Sequence, residues 1–236
     1  MRRHGTHWPA ETIPTKLSLR RDNRRPWMFD ASCVLALLPE AATKWIDNSG
    51  KGNNGTISNG TWKVGSRRRD MLSFNGTSTI VNCGADASLK PGNYQSVVLW
   101  FKLNSIATST VLFNTDLLGT TKDLAIGFST VSDQLFLGSA STSVGLADVS
   151  AWITTGVWYH WVQTYNRSTE AIRFFLNGEE QTLIVAASFF TPAGNIVSVG
   201  ARTTGSYTNG VIDECLVFNK LLSPSEAKAL YEMGKP

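Results

Sequence analysis

The chain has 236 residues, of which 42% are apolar and 17% are charged, so its length and composition are those of a folded globular protein rather than a disordered or fibrous one. Its apolar runs, such as residues 97–101, are far shorter than the roughly 20 residues that a membrane-spanning helix needs, which excludes a transmembrane protein. Lys and Arg outnumber Asp and Glu by 22 to 18, which gives a net charge of +4.

The first 30 residues differ in composition from the rest, and we predict an extended basic arm at 1–30 followed by a folded domain at 31–236. The arm holds seven basic and three acidic side chains, while residues 31–236 hold 15 of each sign. It contains prolines, lacks apolar periodicity and carries aromatic side chains that gain free energy when covered, so we expect it to dock on neighbouring protein subunits. The side chains predicted to dock are Arg2, Arg3, Trp8, Arg20, Arg21, Arg24, Arg25 and Trp27. A solvated terminus and contact with nucleic acid are the alternatives.

The start of the sequence and the spacing of the cysteines both predict that the chain is in a reducing environment. The start of the sequence lacks the apolar stretch of a secretory signal, so we expect synthesis in the cytoplasm without export by the standard route. The three cysteines, Cys33, Cys83 and Cys215, are odd in number and far apart, which fits neither a disulfide framework nor a zinc site. We predict three buried, reduced thiols.

From residue 31 onward, short apolar segments alternate with turn residues. The dipeptide Asn-Gly, which tolerates the positive φ angles of tight type I′ hairpin turns, occurs at 54–55, 59–60, 75–76, 177–178 and 209–210. Segments rich in β-branched and aromatic residues, which we predict to be strands, lie at 96–103, 110–113, 124–129, 134–138, 158–165, 171–176, 182–186, 196–200 and 211–218. Their number and spacing predict an all-β fold, a two-sheet antiparallel sandwich.

One helix is predicted, at the end of the chain. Ser223 and Glu226 have the spacing of a capping box, and Pro224 stands at the first helical position. Apolar residues including Leu230 then fall on one face, and Gly234 is placed to end the helix.

Four motifs follow one another in the body. They are Asp-Asn-Ser-Gly-Lys-Gly-Asn-Asn-Gly at 47–55, Leu-x-Phe-Asn-Gly at 72–76, Trp-Tyr-His-Trp-Val at 158–162 with Leu-Asn-Gly at 176–178, and the segment from 210 to 231. In this order they resemble the laminin-G-like type of the concanavalin A-like jelly rolls. The resemblance implies a concanavalin A-like sandwich over about 47–231, but such folds host glycan binders, peptide binders, enzymes and structural modules alike.

No arrangement of side chains in the sequence predicts catalysis, so we predict that the chain is not an enzyme. Retaining glycosidases need two carboxylates about 5 Å apart in one cleft. The acids at 179–180 follow a hairpin turn, and those at 213–214 are expected to point to opposite faces of a strand, so neither pair meets this need. His160 has no Ser or Cys nucleophile associated with it by any motif and is interpreted as structural.

The Gly-rich loop at 47–55 offers oxygen ligands of the kind that calcium prefers. By the resemblance, some family members hold a structural ion with this loop and the acid of the closing strand, which implies Asp47, Asn53 and Asp213 as ligands of a structural calcium ion. The alternative, which we favour, is that Asp47 and Asn53 satisfy backbone donors in a tight turn.

Glycan-binding proteins stack sugar rings on exposed aromatic side chains. Trp62, Trp152 and Tyr207 lie near predicted loops and are candidates for this role, with packing around the core as the alternative. The basic run at 67–69 is interpreted as a solvated strand edge that discourages pairing with other chains, and contact with phosphate or an acidic neighbour is the alternative. The arm and this run lack the aromatic and basic motif of RNA-binding sheets, so sequence-specific binding of nucleic acid is not expected.

Two functional predictions remain. The first is a non-catalytic structural or decorating subunit of a larger assembly, such as the head or tail surface of a virion, which docks through the arm and displays the sandwich. It accounts for the missing signal, the reduced cysteines and the uneven charge. The alternative is a carbohydrate-binding or adhesion module, with or without calcium, at an extracellular or cell surface. The expected partners are neighbouring subunits and surface glycans, and no membrane.

Overall fold

A computed structural model describes residues 30–38, 43–64, 70–90, 92–106, 109–115, 124–129, 134–136, 152–169, 171–182, 196–202 and 205–235 of the chain. The strands in these ranges are β1 (Cys33–Leu37), β2 (Lys44–Trp45), β3 (Gly55–Ser58), β4 (Thr61–Val64), β5 (Asp70–Asn75), β6 (Ile80–Asn82), β7 (Tyr94–Ser105), β8 (Ser109–Asn114), β9 (Ala125–Ser129), β10 (Gln134–Phe136), β11 (Trp158–Asn166), β12 (Ala171–Leu176), β13 (Glu179–Gln181), β14 (Ser198–Val199) and β15 (Asn209–Phe218). A short 3-10 helix at Ala87–Leu89 and the α-helix α1 at Pro224–Gly234 complete the described elements.

The strands form two antiparallel sheets that face each other. Sheet I has the order β13-β12-β11-β7-β15-β5-β4, and β1 also pairs with β15. Sheet II has the order β10-β9-β8-β14-β6-β3-β2. The predicted all-β sandwich is confirmed. The predicted strand at 182–186 lies mostly outside the described residues, and β13 precedes it.

The core lies between the sheets and is dominated by aromatic side chains. Alternate residues of β11 point into it, as a strand with one face on the core requires. The Trp161 ring lies 6.3, 5.9 and 4.3 Å, centroid to centroid, from the rings of Phe101, Phe128 and Phe174. Edge-on and tilted pairs of this kind each contribute about 0.5–1.5 kcal/mol beyond the area that they bury.

Helix α1 covers part of the outer face of sheet I. Ala227 and Leu230 pack there in one cluster with Val98, Val162 and Phe175, which is why the central strands are apolar on both faces. The predicted capping box is present, with reciprocal hydrogen bonds between its Ser and Glu. The helix ends at Gly234, but not by the mechanism that was predicted for this glycine. The residue after the helix, at 235, has a φ of −63° rather than the left-handed conformation of a glycine C-cap. No helix in the described part of the chain is long and apolar enough to cross a membrane.

Ion pairs hold the start of the described chain, at Asp30, against the sandwich. Lys220, just after β15, donates hydrogen bonds to Asp30 at 2.6 Å and to Glu226 of α1 at 2.7 Å. The bond from Lys220 is the main reason that the pKa of Asp30 falls to about 2. Asp30 also accepts hydrogen bonds from the backbone and hydroxyl of Ser32. The position at which the predicted arm joins the domain is therefore defined by tertiary contacts.

The three cysteines are buried free thiols, as predicted. Burial raises the pKa of Cys33 and of Cys83 to about 12, so both stay protonated and act as apolar core residues at neutral pH.

The Asn-Gly dipeptides differ in their roles. Asn177 and Gly178 both have positive φ, at 52° and 81°, and join the paired strands β12 and β13 as the predicted tight turn. The other four dipeptides do not combine these properties and do not form this tight hairpin turn. Gly55 and Gly210 lie within strands, where a Cβ would come within 2.4 and 2.3 Å of Val81 and of the Lys102 carbonyl oxygen. These two glycines permit close packing rather than a turn.

Candidate functional site

One end of the sandwich brings together side-chain amides from four separate turns. Asn75 ends β5, Ser105 ends β7 and Asn209 begins β15, and antiparallel pairing places Asn209 opposite both of the others. Asn104 precedes Ser105, and Asn59 lies between β3 and β4 at the same end. We call the group of Asn59, Asn75, Asn104, Ser105 and Asn209 the amide rim.

Asn209 is the centre of the amide rim. Its Oδ1 accepts a hydrogen bond from Asn104 Nδ2 at 3.1 Å, and its own Nδ2 donates to Ser105 Oγ at 2.9 Å. On the other side it packs over Gly76, where an added Cβ would lie 2.9 Å from the Asn209 Cβ. The ends of three neighbouring strands are thereby linked through one half-buried side chain.

Asn75 orders the adjoining turn. Its Oδ1 accepts hydrogen bonds from the backbone N–H groups of Thr77, Ser78 and Thr79, and its Nδ2 donates to Ser78 Oγ at 3.0 Å. Thr79 Oγ1 donates to the Asn59 carbonyl at 2.7 Å, which ties in the turn between β3 and β4. The sequence favours Asn at this position because a short amide side chain can cap a turn.

The described residues between β14 and β15, at 200–202 and 205–208, are bonded to sheet II and include Tyr207. Thr208 Oγ1 donates to the Val111 carbonyl at 2.7 Å, and the Val111 N–H donates to the Ser206 carbonyl at 2.9 Å. The Thr208 N–H donates to the Gly200 carbonyl at 2.7 Å. Tyr207, which is half-buried, is therefore held between two residues whose backbones are bonded to the sandwich.

The amide rim can bind neutral polar groups. An amide has two N–H donors and an oxygen with two lone pairs. The bonds from Asn104 and to Ser105 use one N–H and one lone pair of Asn209, so donor and acceptor capacity remains. Asn59, Asn75 and Asn104 are exposed. Sugar hydroxyls both donate and accept hydrogen bonds, which matches this chemistry.

The three predicted glycan aromatics occupy different environments. Tyr207 is half-buried and lies two residues before Asn209 of the amide rim. Trp62, in β4, packs edge-on against the buried Trp45 at 5.9 Å and closes the edge of the core. Trp152 also packs on the core, and the Gly156 N–H donates to the Leu103 carbonyl, which places this segment at the amide-rim end. The site residues that the sequence interpretation missed are the four amides, since it treated Asn59, Asn75 and Asn209 only as turn residues and did not single out Asn104.

In the loop proposed for calcium, the carboxylate oxygens of Asp47 are already occupied by hydrogen bonds from the protein. Asp47 Oδ1 accepts hydrogen bonds from the backbone of Ala36 and Ser49, and Oδ2 accepts from Ser49 Oγ and from the backbone of Asn53, all at 2.9 Å. Asn53 Nδ2 donates to the Val34 carbonyl at 2.8 Å. A calcium ion would have to displace donors from both Asp47 oxygens, so these residues do not fit the ion. The geometry favours the alternative, in which Asp47 and Asn53 stabilise a turn.

Asp213, the third predicted calcium ligand, lies on β15 and is 1% exposed. Among the described residues there is no group of three or more His, Cys, Asp or Glu side chains arranged to hold a metal. The pairing of β15 with β7 shifts between Ile212 and Cys215, so residues 213 and 214 together face the single residue Trp100. The regular alternation assumed for these two acids is therefore wrong.

The other acids and the histidine that bear on catalysis have structural contacts. Glu180 accepts two hydrogen bonds of 2.6 Å from Arg173, which lower the pKa of its carboxyl, and Glu179 pairs with Lys228 at 3.1 Å. His160 is 1% exposed, and its ring lies 4.8 Å from that of Trp100.

The residues predicted to dock the arm lie outside the described ranges. They are Arg2, Arg3, Trp8, Arg20, Arg21, Arg24, Arg25 and Trp27. The basic run at 67–69 lies outside them as well. These predictions, and the boundary at residue 30, stay predictions.

Comparisons with solved structures agree with the fold. Domain 4 of AbnA, a GH43 extracellular arabinanase from Geobacillus stearothermophilus in complex with arabinotriose, has a TM-score of 0.64 at 20% identity, over 85% of this chain and 98% of that one. Trypanosoma rangeli sialidase in complex with sialic acid gives 0.64 at 16% identity, over 87% of this chain and 34% of that one. At such identities the likeness establishes the fold alone.

Comparisons of sequence add a relative and a family. Pentraxin-related protein PTX3 of Mus musculus is 24% identical over 126 residues, which are 52% of this chain and 32% of the relative, so the chain spans about a third of that protein's length. A family model described as the concanavalin A-like lectin/glucanases superfamily matches residues 75–228. That match covers more than half of the chain, which therefore belongs to the concanavalin A-like lectin/glucanases superfamily.

Proposed function

We propose that the chain is a non-catalytic carbohydrate-binding module that holds its glycan at the amide rim. The observation that carries this proposal is the hydrogen-bonded group of Asn104, Asn209 and Ser105, in which Asn104 and Ser105 are exposed and Asn209 is half-buried, two residues along the chain from Tyr207. Family membership supports it, because the superfamily includes lectins. The similar arabinanase domain, which is described in complex with arabinotriose, supports it as an analogy.

The physical basis of the proposed sugar binding is that the amide side chains of the rim are preorganised. The amides of the rim are already oriented by bonds to each other, so binding a sugar costs little additional side-chain entropy. Tyr207 supplies an aromatic face next to them, and stacking on it would cover apolar C–H surface of the sugar ring. Asp47 is saturated by protein donors, so we propose that binding does not require calcium.

A glycan array followed by titration calorimetry tests the proposal with the full chain. Asn209→Ala removes the centre of the rim, and we expect it to weaken binding of the best glycan about tenfold or more, as loss of hydrogen bonds in a polar site does. Asn104→Ala should have a smaller effect in the same direction. EDTA should leave the affinity unchanged.

Asn93→Ala is the matched control, because Asn93 is an exposed asparagine just before β7, at the opposite end from the rim. It should bind like the unmodified chain, and the unfolding temperatures of all variants should agree within a few degrees. The proposal is wrong if no glycan binds, or if Asn209→Ala and Asn93→Ala bind equally well.

The arm carries a second candidate function. We propose that the chain is a structural or decorating subunit that docks on an assembly, such as a virion surface, through residues 1–30 after synthesis in the cytoplasm. The supporting observation is the charge distribution, with the whole net charge of +4 in the first 30 residues and 15 charges of each sign in the rest. Both functions are compatible, since a docked sandwich can present its amide rim at an extracellular surface.

A further inference from the structure

Arg202 is the one charged residue in the turns that build the amide rim and its flanking loop. These turns, at 58–61, 75–80, 103–106 and 200–209, contain no Asp or Glu. The positive charge of Arg202 is therefore not neutralised by a carboxylate in the same turns.

The Arg202 side chain lacks an acceptor in the part of the chain that the structure describes. Its Nε is buried and has no hydrogen-bond partner there, although the residue as a whole is only half-buried. A buried N–H group without an acceptor is costly, more so when it belongs to a charged group. Arg173, by contrast, has both of its forked donors on one carboxylate. The partly exposed remainder of the Arg202 side chain is the part that an acceptor from outside the chain can reach.

The backbone holds Arg202 in place on the loop that carries Tyr207. Its N–H donates to the Gly205 carbonyl at 2.9 Å, and the Gly205 N–H donates back to the Arg202 carbonyl at 3.3 Å. The preceding residue, Ala201, is fully buried and its carbonyl accepts a bond from Ser198 Oγ. Arg202 is therefore paired through its backbone with Gly205, and it is close along the chain to Tyr207.

We infer that the glycan bound at the amide rim is acidic and that Arg202 binds its anionic group. This inference rests on the proposed glycan-binding function and deepens it. The two terminal Nη groups of a guanidinium form a planar fork that fits two oxygens of one anion, and such charge-assisted bonds are the stronger kind. The anion is a carboxylate or a sulfate ester on the sugar, and the neutral amides bind the hydroxyls around it.

The experiment uses the full chain and an array in which each neutral oligosaccharide is paired with a carboxylated and a sulfated counterpart. We expect an acidic member to bind about tenfold tighter than its neutral counterpart, and this preference to shrink as the salt concentration rises. Arg202→Gln should remove the preference while leaving binding of the neutral member unchanged. Arg202→Lys should keep part of it, because a point charge replaces the fork. Comparing the carboxylated and sulfated members identifies the source of the anion.

Arg167→Gln is the matched control. Arg167 lies in the turn between β11 and β12 at the opposite end, is also half-buried, and has a buried Nε without a hydrogen-bond partner among the described residues. This variant has the same net charge as Arg202→Gln, and it should keep the acidic preference if the effect is local.

The outcomes separate this inference from the proposed function. If Asn209→Ala abolishes binding but acidic and neutral members bind equally well, the rim is a glycan site and the role of Arg202 is wrong. The role of Arg202 is also wrong if Arg202→Gln keeps the preference, or if Arg167→Gln loses it to the same extent. If no member of the array binds, the proposed function itself fails. Equal unfolding temperatures for the three Arg variants and the unmodified chain exclude misfolding as the cause of any loss.

Discussion

Gly200 shows how a single residue connects the core to the amide rim. Its φ of +83° lies in the left-handed region, and an added Cβ would come within 2.0 Å of the ring of Phe74, which is buried in the core. Its carbonyl accepts the Thr208 N–H, and its own N–H donates to the Leu112 carbonyl. Glycine is required here for two reasons, the backbone conformation and the close approach of an aromatic ring.

Gly200→Ala should destabilise the protein by about 3 kcal/mol or more, because it adds overpacking against Phe74 to backbone strain. Gly50→Ala is the matched control, since Gly50 has the same φ of +83° and no atom within 4 Å of the added Cβ. It should cost about 1 kcal/mol from strain alone. Urea unfolding of both variants measures the two losses, and equal losses would refute the role assigned to the contact with Phe74.

Helix α1 covers part of the outer face of sheet I. Leu230 is 7% exposed and packs with residues of β7, β11 and β12, whereas Met233 near the end of the helix is 37% exposed. The Tyr231 ring stacks on Trp100 at 5.7 Å and extends the covered area. The helix therefore removes apolar surface of the central strands from water.

Leu230→Ala should lower the free energy of unfolding by about 2–3 kcal/mol, from lost burial and the cavity left behind. Met233→Ala serves as the control and should change stability by less than about 0.5 kcal/mol. Chemical denaturation with far-UV and near-UV circular dichroism follows both variants. If the two substitutions cost the same, α1 does not protect the outer face of the sheet.

At the scale of the whole molecule, the described structure begins at Asp30, where we predict the boundary between the arm and the domain. The ion pair of Asp30 with Lys220 belongs to the domain, and it links the start of β1 to the connection between β15 and α1. Because the pKa of Asp30 falls from 3.8 to about 2 on folding, its stabilising effect is complete above its ordinary pKa and is lost as the pH drops toward 2. A shortened chain should therefore retain this residue.

A chain that lacks residues 1–28 should unfold at the same temperature as the full chain, because it keeps Asp30 and both sheets. The second candidate function predicts that it no longer assembles, whereas the full chain does. Light scattering measures assembly and calorimetry measures unfolding. The docking proposal is refuted if the shortened chain assembles normally, and the domain boundary is refuted if it unfolds early.

Much of the fold was predictable because its signals are local. Alternation in β12, the apolar run in β7 and the capping box before α1 depend on residues that are close in sequence, and the structure places strands and a helix there. The Asn-Gly dipeptides correctly indicated antiparallel strands. They misled in detail because glycine also serves where strands pack closely, as at Gly55 and Gly210, and no local signal separates the two uses.

The sequence by itself determined the class of fold, the neutrality of the domain, the basic arm and the burial of the cysteines, since composition and short-range periodicity control these properties. Only the tertiary structure decided the candidate site. Asn59, Asn75, Asn104 and Asn209 come from turns far apart in the chain, and they meet because β15 inserts between β5 and β7. Strand order of this kind depends on the packing of the whole core, which is why an asparagine that reads as a turn residue in the sequence becomes part of a polar surface in the folded protein.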